Sequence, residues 1–292
     1  MRMSLILAAL GLLAASCAAL PNADKVKGFG EAASSSSTVM KDALNTNRLV
    51  ALKTSREREA DAYITGRSYL LRMDDRDKEM LLDAKEQVAV LAALDQYAKA
   101  LVKAADQGVI NELEAASSRL GTAAGTIGSA IAPTAAPVIG PALKLSGRVV
   151  GLGLGNAYAA EIQSIVRATD PTIQQIAETM PISLSTIATV ASAQAEGFEV
   201  QRQITLDTIR RDPKVDRLTL YKEYMVARGE VETTDTQINA LVSSAGIFDQ
   251  LAKAHGALAK GSPDAAILVK QFAATSSELA ELIKAVRNTQ GS

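Results

Sequence analysis

One histidine, one cysteine and no tryptophan occur among the 292 residues, and that poverty removes most catalytic equipment at the outset. A Ser-His-Asp triad or a multi-histidine metal centre cannot be assembled around His255 alone. With Leu251, Ala252, Leu258 and Ala259 for neighbours, His255 reads instead as a residue at the edge of a packed helical face. Aromatic residues make up 3% of a chain that is 48% hydrophobic. The apolar content is therefore mostly Ala, Leu, Val and Ile, which suits helix packing and is poor material for an aromatic-lined ligand pocket. The formal net charge is −1 with both signs interspersed, so no electrostatic footprint for nucleic acid is present. No stretch alternates apolar and polar residues as a half-buried strand would.

Two motifs invite a chemical reading and fail it. Asp74, Asp75, Asp77 and Glu79 form the densest acidic cluster, but the central glycine of an EF-hand loop is missing. Acidic residues in a first helical turn complement the helix dipole, and a helix start near Asp74 is the expectation. Gly151, Gly153 and Gly155 approximate a dinucleotide-binding turn without its full spacing or a preceding strand, so helix packing or a turn is expected there. We expect no catalytic residue, no metal ligand and no cofactor.

What is present begins with a leader. Met1-Arg2-Met3 is a short positive start, Ser4 to Ala15 an apolar core, and small residues follow, the layout of an export signal. Cys17 comes directly after Leu13-Ala14-Ala15-Ser16. The segment resembles a bacterial lipoprotein signal, although Ala14 stands where that pattern carries Leu, Val or Ile. The resemblance covers about the first 20 residues and implies acylation of Cys17, a signal peptide over 1–16 and, with Ala18 following, the periplasmic face of the outer membrane. Ordinary cleavage near Ala18 or Ala19, giving a secreted or periplasmic soluble protein, and an uncleaved anchor are the alternatives. Residues 17–37, with Pro21, Gly28, Gly30 and four consecutive serines, read as a flexible tether. The folded body is expected over 38–292.

Within that body apolar residues recur at three- and four-residue steps, as in Ala84, Val88, Leu91, Leu94, Ala98, Leu101 and Ala105. Arg56 to Glu59 read as a solvated helix face, and the six tyrosines as core-edge residues whose hydroxyls reach water. Pro171, Pro181 and Asp212-Pro213 suggest caps or kinks. Periodicity with short punctuation predicts an all-α, elongated bundle of about five or six long amphipathic helices.

The stretch 120–160 stands apart. Leu120 to Leu143 carry no charge; Pro133, Pro137 and Pro141 mark a bend; Gly147, Gly151 and Gly155 share one face by their four-residue spacing, and Gly121 and Gly125 precede them. The expectation is a Gly/Ala/Pro-rich helical hairpin, short of a membrane span in either arm. The function expected from these features is that of a non-enzymatic, lipid-anchored envelope protein acting as a helical interaction or structural module. The hairpin would face an envelope protein partner or a second copy of the chain. The alternative is a membrane-inserting protein that uses the hairpin. Its layout looks like that of alpha-helical pore-forming toxins, with no residue motif in common.

Overall fold

A computed structural model describes residues 23–72, 75, 84–107, 109–131 and 154–288. Among them the chain is all-α. Six helices exceed 20 residues: α1 (Ala23–Ile64), α2 (Lys85–Gln107), α3 (Ile110–Ile131), α4 (Leu154–Arg211), α5 (Arg217–Ser244) and α7 (Ala265–Asn288). The shorter α6 (Ile247–Lys260) follows α5 after a two-residue break at Ala245 and Gly246. Of the features expected above, Cys17, Asp74, Pro133, Pro137, Pro141, Gly147 and Gly151 lie outside the described residues. Gly155 falls in the first turn of α4.

The directions of the helices follow from which residues meet. Along α1 and α2, Lys27 pairs with Asp106 and Ser34 Oγ donates to Asp95, so these two are antiparallel. Along α1 and α7, Gly28 lies beside Val269 and Ser36 Oγ meets Ser276 Oγ at 2.8 Å, so these are parallel. α4 is contacted by α1 at Thr54–Gln194 and Glu57–Arg202, and by α3 at Ser117–Thr169 and Gly121–Thr172; both run its way. α6 runs against it, with Gln163 Nε2 donating to Leu258 O and Gln174 Nε2 to Ala252 O.

One large core fills the lower part of this bundle. It is built from Phe29 and Met40 of α1, Leu91 to Leu101 of α2, Leu113 to Ile127 of α3, Ile162 to Ala188 of α4, and the inner faces of α6 and α7. Above it, α1, α4 and α5 continue as a narrower arm, with the end of α7 reaching its base. Only Val50, Ala191, Ala195 and Ile238 form a separate small apolar cluster there. At 1.5 Å per residue the 58-residue α4 measures about 87 Å, and it is common to core and arm.

Three expectations are corrected. The segment 23–37 is the first part of α1 and not a tether. Three of its four serines are paired, Ser34 with Asp95, Ser37 Oγ donating to Ala33 O and Ser36 Oγ to Ala32 O, and Ser36 and Ser37 are buried. Gly30 is there because a neighbouring backbone passes it: a Cβ would sit 2.6 Å from Ala98 O and 2.8 Å from Val102 Cγ2. Small and polar composition in this case encodes close helix packing, not looseness. Second, Pro171 and Pro181 do not cap new helices, because α4 continues through both. Each proline costs about 3 kcal/mol in a helix interior, and burial of Ile173, Ile176, Met180 and Leu184 at about 1.5–3 kcal/mol each offsets it. Third, α5 starts from Asp216, not Asp212. The Asp216 carboxylate accepts from the amides of Leu218 and Thr219, as an N-cap does.

A paired substitution checks the packing of α1. Gly30→Ala should lower stability by about 1–3 kcal/mol, because the neighbouring atom in the way is backbone. Gly125→Ala on α3, where a Cβ meets nothing within 4 Å, should gain up to about 1 kcal/mol of helix propensity. Urea melts of the two variants against the parent read the difference.

Candidate functional site

Two polar assemblies stand out, one inside the core and one at the base of the arm. The first surrounds His255. The ring is wholly buried. Its Nδ1 lies 2.9 Å from Asp170 Oδ1 and its Nε2 3.0 Å from the Tyr97 hydroxyl. An ionised carboxylate only accepts, so Nδ1–H donates to Asp170, and the Tyr97 hydroxyl shares a hydrogen bond with Nε2. The chain continues at both ends: Gln174 Nε2 donates to Asp170 Oδ1 and to Ala252 O, while Thr169, beside Tyr97, shares a 2.6 Å hydroxyl contact with Ser117. Two phenylalanines join Tyr97 here. Phe29 stands edge-on to His255 at 5.3 Å and leans on Phe272 at 5.6 Å.

Burial governs the electrostatics of this node. It pushes the Tyr97 hydroxyl well above the usual phenol range; the Thr169 hydrogen bond opposes that and the Asp170 charge adds to it. Burial also pushes the Asp170 carboxyl up, but the hydrogen bond and charge of His255, the Gln174 amide and Lys260 outweigh it. Asp170 therefore stays below the ordinary carboxylate range. A Tyr–His–Asp line could relay a proton in principle. With His255 and Tyr97 both at 0% exposure, no reacting group can reach the ring, and the arrangement ties α2, α4 and α6 into one register. His255 is thus a central core residue and not an edge residue, and Tyr97, unlike the other tyrosines, has no hydroxyl in water.

The second assembly joins the three helices of the arm. Arg202 of α4, 13% exposed, lies 3.3 Å from Glu57 of α1 and 3.7 Å from Glu223 of α5, with its Nε 3.3 Å from Glu230. Beside it Lys53 Nζ donates to Thr234 and sits 5.8 Å above the Phe198 ring. Burial lowers the Lys53 pKa, and Glu230 opposes that. Glu57 therefore faces inward, in contrast to the solvated face expected for Arg56 to Glu59. A groove of about 900 Å³ opens between α1, α5 and the end of α7, with Leu49, Leu52, Met225, Val226 and Leu282 on its walls.

Beyond Arg202 much of the arm is exposed, although Thr205, Asp61 and Ala62 stay buried. The last turns of α4 carry Val200 and Ile204 in solvent, and the first turns of α5 carry Leu218, Tyr221, Tyr224, Met225 and Val226. The expected site residues on α3, Gly121 and Gly125, are half-exposed, and no neighbouring backbone lies within reach of a Cβ at either. Among the described residues, no group of three or more His, Cys, Asp or Glu side chains could hold a metal ion, and no helix is long and apolar enough to cross a membrane. Comparison with protein-family models, with curated proteins and with solved structures finds no match to this chain.

Sequence reasoning missed both assemblies. The partners of His255 are 85 and 158 residues away in the chain. The usable signal was a single histidine within an apolar helix face, a position that requires a buried partner.

Proposed function

We propose that this chain is a non-enzymatic helical spacer of the bacterial envelope, anchored by lipid on Cys17 and presenting the end of the α4–α5 arm to a partner. The observation that carries this reading is the parallel course of α1 and α4. Cys17 precedes Ala23, the first residue of α1, by six positions, and the arm's end is at the opposite end of the long axis. From Ala23 to Glu57, and on from Arg202 beside it to Arg211, the rise is about 65 Å. A rigid rod with an attachment at one end and exposed apolar side chains at the other separates two things by a fixed distance. The buried node supports the same reading, because it locks helices together and offers nothing to a substrate.

The test places a photo-activatable residue at Leu218 or, as control, at Lys99 on α2, in cells that also carry Cys17 or Cys17→Ser. The expected outcome is adducts from position 218 and none from 99, with Cys17→Ser moving the protein out of the membrane fraction. Equal adducts from both positions would remove the arm as the working end. Unaltered fractionation of Cys17→Ser would remove the anchor.

A further inference from the structure

The exposed face of the first three turns of α5 has an unusual composition. Leu218, Tyr221 and Met225 follow one another at steps of three and four, so they form one stripe along the helix. All three are exposed, Tyr221 at 61%. Around the helix Arg217 flanks this stripe on one side and Lys222 on the other, each in solvent. Within these turns the one acidic residue, Glu223, is turned inward onto Arg202, as is Glu230 further along, while the exposed Glu232 pairs with Arg228.

The turn before α5 completes the pattern. Residues 210–222 contain five Lys or Arg, namely Arg210, Arg211, Lys214, Arg217 and Lys222, against Asp212 and Asp216. Both aspartates are engaged with backbone amides, Asp212 with Lys214 N and Asp216 with Leu218 N and Thr219 N. Among the described residues Arg211, Lys214, Arg217 and Lys222 have no ion-pair partner. A chain of net charge −1 thus concentrates unpaired positive charge at one extremity.

We propose that this extremity seats on the surface of an anionic lipid bilayer. An apolar stripe bordered by Lys and Arg is the arrangement with which a helix lies in a lipid interface, apolar residues in the acyl boundary and cations among the phosphates. Tyrosine is favoured at that depth, because its ring is apolar and its hydroxyl stays wet. The face is convex and continuous, which fits a planar surface better than the cleft an acidic peptide would need. Taken with the lipid-anchored reading, on which this further step rests, the molecule would hold two lipid surfaces about 65 Å apart. The contact itself does not depend on the anchor.

The absence of tryptophan supplies the test. Tyr221→Trp makes the arm's end the only source of indole fluorescence in the full chain, whatever the N-terminus does. Vesicles of phosphatidylglycerol should shift its emission to the blue and allow quenching by brominated acyl chains, and vesicles of phosphatidylcholine should do neither. Arg217→Gln with Lys222→Gln should weaken the response roughly 25-fold, about fivefold per charge removed. No shift with phosphatidylglycerol, or an equal shift with phosphatidylcholine, would overturn the proposal. An equal shift with poly-glutamate in place of vesicles would overturn it in favour of an acidic protein partner. In each of those cases adducts from Leu218 in the envelope would leave the spacer reading standing.

Discussion

Replacing His255 by alanine should cost roughly 3–5 kcal/mol of stability, the largest loss expected from any single polar residue of this protein. The reason is the geometry of the site. The imidazole fills a space bounded by Phe29 and Tyr97, so its removal leaves a cavity and takes a hydrogen-bond partner from each of two polar groups. The fully buried Tyr97 hydroxyl would keep only its contact with Thr169, and Asp170 only the Gln174 amide. Tyr97→Phe, which deletes only one of the two hydrogen bonds, should cost about 1–2 kcal/mol.

The pH dependence separates a charge effect from simple cavity formation. In the parent, Asp170 has a folded-state pKa below its unfolded value, which is about 3.9. Its contribution is therefore fully present above pH ~4 and is lost as pH falls through the folded pKa. In His255→Ala the main partner that holds the carboxyl down is gone. The stability gap between parent and variant should thus be widest near neutrality and shrink below pH ~4. Urea unfolding at a series of pH values reads this directly, and a gap that stays constant to pH 3 would mean that the carboxylate–imidazole contact contributes nothing.

Replacing Arg202 by methionine should loosen the arm without melting the core. Arg202 is a cation with little access to water, and three carboxylates approach it from two other helices. Removal of one member of a buried ion cluster typically costs about 3–5 kcal/mol, because the remaining charge is left unpaired. The partial exposure of Glu223 and Glu230 places the expected loss at the lower end. Amide exchange should accelerate across residues 217–234 and the last three turns of α4, while α2 and α6 keep their protection. Adding Glu57→Gln should restore part of the loss. Uniform acceleration throughout the protein would instead mean that arm and core open as one unit.

The fold class was legible because periodicity is a local property. The steps of three and four residues through α2 and along α4 identify helices without any knowledge of their neighbours. The errors share one cause, which is that composition has opposite meanings in isolation and in contact. Four serines and two glycines suit a flexible segment when nothing packs on them, and suit a tight helix crossing when Ala98 of α2 passes beside Gly30. The two prolines of α4 illustrate the same point, since an interior proline ends a helix only when burial does not hold the next turn in place. The polar node was not legible at all. Tyr97, Asp170 and His255 acquire their meaning from the antiparallel pairing of α4 with α2 and α6, and no local pattern encodes a pairing.

The meeting of Ser36 with Ser276 joins the first helix to the last across 240 residues. In the same seam Phe29 leans on Phe272 and Gly28 lies beside Val269. A chain made from its N-terminus therefore holds one side of α1 uncovered until nearly all of its length exists. Non-local closure of this kind slows folding and leaves apolar surface open to other chains in the interval. A chain cut short before α7 should therefore bind a hydrophobic dye that the full chain does not, because the face of α1 around Phe29 has lost its cover.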